Sequence, residues 1–143
     1  MSVTVDANIL LYASDTTSPR HERALNLVQE LAAGPALLYV FWPVLMSYLH
    51  ISTHPAIYDK PLPIAKALSN LDDLIRRPHV KTPGEDDGFW AVYRRVEAAM
   101  PVRGNLVPDA HIVALMHQYG VHTILTHDRG FRRFEGIQPS DPF

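Results

Sequence analysis

The 143-residue sequence has no cysteine, which excludes disulfide scaffolds, iron–sulfur clusters, thiolate zinc sites and cysteine nucleophiles. A cysteine-free chain suits a reducing compartment, so a cytoplasmic location is expected. Excess positive charge is also missing. Thirteen Lys and Arg face fifteen Asp and Glu, for a net charge of −2, so no basic arm announces nucleic-acid binding. Long hydrophobic runs are absent as well. The longest goes only from Ala36 to Met46 and is interrupted by Pro43, far short of the roughly twenty residues that span a bilayer. The opening Met1-Ser2-Val3-Thr4-Val5-Asp6 lacks the basic start of a signal peptide, and no membrane association is expected. Neither repeats nor low-complexity linkers occur, so residues 1–143 are expected to form a single domain. What is there, 47% hydrophobic and 20% charged residues, describes a globular chain able to bury a core.

Twelve prolines supply much of the punctuation. Val3-Thr4-Val5 reads as a short β-branched strand, with Asp6-Ala7-Asn8 directly at its end. Ala24, Leu25, Val28 and Leu31 recur at helical spacing between Pro19 and Ala33, and Gly34-Pro35 stops that helix. Ala36 to Val40 reads as a buried strand. Phe41 to Thr53 reads as a helix with Pro43 in its first turn. Further helices are expected from Pro63 to Arg77, Asp86 to Ala99 and Pro108 to Tyr119, the last capped by Gly120. Strands are expected at His79–Thr82, His122–Thr126 and, at an edge, Gly136-Ile137. Alternating strands and helices imply an α/β domain with a central, mostly parallel sheet between two helical layers. Such sheets place their chemistry beyond the carboxyl ends of the strands.

Three aspartates fall where that geometry matters. Asp6 follows the first strand, and Asp128 lies two residues past Thr126. Asp109 sits in a helix's first turn, spaced to share a face with Ile112, Val113 and Met116. Each alone has an ordinary structural reading, as a cap or a turn former. If all three converge, their repulsion makes a cation the natural partner, and hard oxygen ligands suit Mg²⁺ or Mn²⁺. A divalent ion on carboxylates is the usual apparatus for phosphodiester hydrolysis.

These segments resemble a known family. Val5-Asp6-Ala7-Asn8-Ile9-Leu10-Leu11-Tyr12-Ala13 is similar to the opening of PIN domains. Gly104-Asn105-Leu106-Val107-Pro108-Asp109-Ala110-His111 and Leu125-Thr126-His127-Asp128-Arg129-Gly130-Phe131 resemble that family's two later acidic motifs. The segment from Trp42 through Pro55 is similar to the surroundings of the family's glutamate. The similarity is greatest to VapC-type toxins of bacterial toxin–antitoxin pairs. It implies a three-layer α/β/α PIN fold and a Mg²⁺- or Mn²⁺-dependent endoribonuclease acting on structured RNA such as tRNA or rRNA. It also implies a VapB-type antitoxin and a homodimer. By position, Asp6, Asp109 and Asp128 would be the catalytic and metal-binding acids, with Asn8 and Thr126 as polar supports.

Two departures stand out. Ser47 occupies the place of the family's glutamate, and Gly130 stands where many members carry an aspartate. Ser47 can hold a water but brings no charge, so weaker metal binding and one ion rather than two are expected. Arg129, Arg132 and Arg133 are the leading phosphate-contact candidates, ahead of Arg94, Arg95 and Arg103. His50 and His54 have zinc-pair spacing but no third ligand; His111 and His127 flank the acids. Glu85-Asp86-Asp87 is expected to open a helix. The helix after Phe41 carries more large residues than one buried stripe needs, and the surplus suits a dimer contact or an antitoxin groove. Two other functions compete: a phosphatase with an aspartate nucleophile, and a PIN-like module that binds RNA or protein without cutting.

Overall fold

The computed structural model describes residues 1–143. Five short strands, β1 (Ser2–Val5), β2 (Leu37–Tyr39), β3 (Val80–Lys81), β4 (Thr123–Leu125) and β5 (Gln138–Ser140), form one sheet in the order β3-β2-β1-β4-β5. Every pairing is parallel. Six helices flank the sheet: α1 (Ala7–Ser14), α2 (His21–Ala33), α3 (Trp42–Ser52), α4 (Ile64–Ile75), α5 (Phe89–Ala99) and α6 (Val107–Tyr119). This is the α/β architecture expected from the alternating pattern. Thr4, buried in the central strand, satisfies its hydroxyl by donating to the Tyr39 carbonyl at 2.7 Å.

The topology fixes where a site can form. From β1 the chain builds outward through β2 and β3, then returns to the other side of β1 to lay down β4 and β5. The strand order therefore reverses between β1 and β4, and the crevice beyond their carboxyl ends is the natural binding place in an open parallel sheet. The register aligns Val5 with Leu125, so Asp6 and Thr126 leave the sheet side by side, with the Asp6 amide donating to the Leu125 carbonyl at 3.0 Å.

Helix α6 anchors this end of the molecule. Ala110, Ile112, Val113, Ala114, Leu115 and Met116 are all buried, within a core cluster of 25 residues. Its last turn ends at Gly120, whose φ of 68° is left-handed and suits glycine.

Three elements differ from the sequence expectation. Helix α1 begins immediately after β1, with Asp6 as its N-cap, where the sequence suggests only a strand-end turn. Helix α5 starts at Phe89 rather than Asp86, so Glu85, Asp86 and Asp87 lie outside it; Asp86 instead closes a turn by accepting from the Gly88 amide at 2.8 Å. The edge strand is Gln138–Ser140, two residues beyond Gly136-Ile137, and Pro139 is tolerated because β5 pairs on one side only.

Candidate active site

Asp6 is held by its own strand-to-helix junction. Its Oδ1 accepts from the Ala7 amide at 2.7 Å, and its Oδ2 accepts from the Thr126 hydroxyl at 3.0 Å. The same Thr126 oxygen accepts from the Asp128 amide at 2.9 Å. One buried threonine hydroxyl therefore links the ends of β1 and β4 and fixes the backbone that carries the second aspartate. Asp128 in turn accepts from the Gly130 amide at 2.8 Å through Oδ1, capping a 3-10 turn, Arg129–Arg133.

Asp109 enters from the first turn of α6. Its proximity to the other two is legible at Gly130. A Cβ placed there would lie 3.1 Å from Asp128 Oδ1 and 3.7 Å from Asp109 Oδ2, so both carboxylates border the space a side chain would fill. Their charges also reach one another. Burial, then the charges of Asp128 and Asp6, push the Asp109 carboxyl up to about 6. Burial raises Asp6 as well; the Thr126 and Ala7 hydrogen bonds oppose that rise, and the Asp128 charge adds to it. The three predicted acids thus share one electrostatic environment at the switch point.

The supporting residues divide. Thr126 acts as expected, orienting Asp6 and the Asp128 amide. Asn8 lies in the first turn of α1 with its Oδ1 enclosed and without a hydrogen-bond partner, an unsatisfied acceptor rather than a bonded strut. Ser47, half-buried on α3, forms no side-chain hydrogen bond, to the acids or elsewhere. No three His, Asp or Glu side chains close around a common point as a ready-made metal cage. The donor set nonetheless fits a hard cation that keeps waters: repelling carboxylates, an orphaned amide oxygen, and no nitrogen or sulfur ligand.

The arginines separate too. Arg129, Arg132 and Arg133 are exposed on the 3-10 turn, but Arg132 and Arg133 line a cleft with Arg95 and His117 on the flank of α6 rather than the carboxylate crevice. His111 and His127, predicted at the acids' flanks, are each engaged by a carboxylate the sequence did not point to. His111 Nε2 meets Glu85 at 2.5 Å, and His127 Nδ1 meets Asp141 at 2.9 Å. The His111 hydrogen bond holds Glu85 below the usual carboxylate range. His50 and His54 lie with ring centroids 5.5 Å apart and gather no third ligand.

A parallel sheet with acids at its switch point, capped by a threonine bridge, defines an α/β domain of the PIN class. The PIN-domain family model matches residues 3–137, and the chain belongs to that family. Over 143 residues it is 50% identical to Ribonuclease VapC48 of Mycobacterium tuberculosis, covering 100% of this chain and 99% of the relative. It is 29% identical to Ribonuclease VapC37 of the same species over 138 residues, covering 96% of this chain and 95% of that one. Among solved structures, VapBC2 from Rickettsia felis bound to a promoter DNA fragment matches with a TM-score of 0.69 at 16% identity, covering 98% of each chain. Mycobacterium tuberculosis VapC20, described as a Sarcin-Ricin loop cleaving toxin, matches with a TM-score of 0.67 at 16% identity, covering 96% of this chain and 99% of that one. At that identity the two structures speak for the fold alone.

Proposed function

We propose that the chain is an endoribonuclease, a hydrolase of phosphodiester bonds, that uses Mg²⁺ or Mn²⁺ held by Asp6, Asp109 and Asp128. The observation that carries this reading is the gathering of Asp6, Asp109 and Asp128 at the sheet's switch point. Burial, then the charges of Asp128 and Asp6, lift Asp109 to about 6, and a cation would relieve that repulsion. When bound, that cation acidifies a water and offsets charge on the scissile phosphate. With one hydrogen bond on each oxygen, Asp6 is fixed in orientation. Whichever of Asp109 and Asp128 is not fully occupied by the cation would take the water's proton. Asn8, whose side-chain oxygen is enclosed and unpaired, would act as a polar support for the water around the cation. Ser47 and Gly130, standing where relatives carry acids, leave the site with three carboxylates, and this supports a single ion.

By its kinship to VapC ribonucleases, the chain acts as a toxin on structured RNA of the tRNA or rRNA class and is neutralised by a VapB-type antitoxin. Its place is the cytoplasm, as one domain over residues 1–143. No helix is long and apolar enough to cross a membrane. A homodimer is supported by large apolar side chains left exposed: Trp42 at 43% exposure and Met46 at 50% on α3, and Trp90 at 67% on α5. Family membership sets aside the aspartate-nucleophile phosphatase. A second reading, a module that binds RNA without cutting it, is favoured by Ser47 and Gly130 standing in place of acids. Inducible expression followed by mapping of new RNA 5′ ends tests both. Cuts that vanish in Asp6→Asn support the nuclease; RNA binding without cuts at any Mn²⁺ concentration supports the module instead.

A further inference from the structure

We infer that the cleft between α5, α6 and the chain after the 3-10 turn is a second phosphate subsite, which takes the RNA strand where it leaves the carboxylate crevice. This deepens the ribonuclease reading and rests on it. The cleft has a volume of about 630 Å³. Arg95 enters it from α5, His117 from α6, and Arg132 and Arg133 from the turn. Three guanidinium groups around one cavity repel one another, and none forms an ion pair anywhere in the molecule. Glu135 is the one carboxylate in the lining, and it is also unpaired. In a chain of net charge −2, such a gathering is complementary to an anion, and planar forked donors suit phosphate oxygens.

The floor narrows the chemistry. Val92, Met100, Val113 and Phe134 give the cleft an apolar base beneath its cationic rim. A polyanion with flat apolar faces, a nucleotide of a single strand, satisfies both halves. An acidic peptide would satisfy the rim and leave the floor to chance. Burial, then the charges of His122 and Arg95, lower the His117 imidazole, against a hydrogen bond to the Glu135 backbone that raises it.

Position ties the cleft to the acids. Val113 lies one turn beyond Asp109 on α6, roughly 6 Å along the axis. Arg132 lies four residues beyond Asp128, about 8 Å at the rise of a 3-10 helix. The cleft therefore adjoins the carboxylate crevice along both α6 and the 3-10 turn. It would grip a flanking phosphate without touching the reacting one.

The test is the salt dependence of binding of a short fluorescein-labelled oligoribonucleotide, by anisotropy in EDTA so that nothing is cut. Arg95→Gln, Arg132→Gln and Arg133→Gln combined should weaken binding about tenfold or more. The slope of log affinity against log salt should become shallower by about 0.7 for each phosphate no longer neutralised. The matching triple Lys variant should retain most of both, which separates charge from fold. In cleavage assays with Mn²⁺, the triple Gln variant should raise KM with kcat retained. Unchanged affinity and slope in a folded triple Gln variant overturn the subsite. So does loss, in that variant, of binding to a fluorescein-labelled oligoglutamate peptide with RNA binding intact. If the wild-type chain cuts no RNA, the nuclease reading fails, while the anisotropy measurement still decides the cleft.

Discussion

Two stretches of α6, one turn apart, obey opposite rules. From Ile112 to Met116 every residue is buried among apolar neighbours, and removal from water stabilises the fold. At Asp109 the same helix carries a carboxyl that burial and two like charges push up to about 6. The first stretch is what a folding sequence does to gain stability. The second lowers stability, and nothing in the protein alone compensates it. The contrast is what the proposed cation site requires: a costly acidic end held in place by the apolar stretch.

The comparison can be broken from either side. Leu115→Ala empties part of the core and should cost about 2–5 kcal/mol in urea unfolding, taking the site down with the fold. Asp6→Asn should do the reverse, lowering RNA cleavage about 10²–10³-fold with the unfolding midpoint retained. A collapse of the fold in that variant would make Asp6 a structural cap first. For Asp109 the sign follows from linkage. Its carboxyl keeps a proton to about pH 6 when folded but only to about 3.8 when unfolded. The associated stability is therefore full below about pH 4 and lost as pH rises through 6. Metal-free protein should be roughly 1 kcal/mol more stable at pH 5 than at pH 7, after allowance for the site's partial exposure. Asp109→Asn should flatten that dependence and raise the metal-free midpoint at pH 7. Thr126→Val, which removes the hydroxyl bridging Asp6 and the Asp128 amide, should cost about 1 kcal/mol and slow cleavage with little change in KM. Smallest of all, Gly130→Asp places a fourth carboxylate beside Asp109 and Asp128. It should lower the metal-free melting temperature slightly and tighten Mn²⁺ binding a few-fold by calorimetry.

Much of the sheet is legible in the sequence because prolines and glycines bound its elements and because parallel strands read as apolar runs. Helix α1 is not. Ala7, Ile9, Leu10 and Leu11 crowd around it with little polar face, so no period separates it from the strand before it. Pro139 argues against a strand at Gln138–Ser140, and only its edge position reconciles the two. At the site, Asp6, Asp109 and Asp128 stand out by their place relative to strand ends and a helix start. Which groups hydrogen-bond the neighbouring histidines does not, because Glu85 and Asp141 lie 26 and 14 residues from their partners. The arginines show the same limit. Adjacency to Asp128 suggests a single patch, whereas the 3-10 turn carries Arg132 and Arg133 around to the flank of α6.

The central claim is that Asp6, Asp109 and Asp128 form one coupled cation site. Calorimetric titration of Mn²⁺ at pH 7 into the wild type and into each single Asp→Asn variant tests it most directly. The account predicts one ion bound by the wild type, with affinity lowered at least about tenfold in all three variants. Wild-type affinity in any one of them would contradict it.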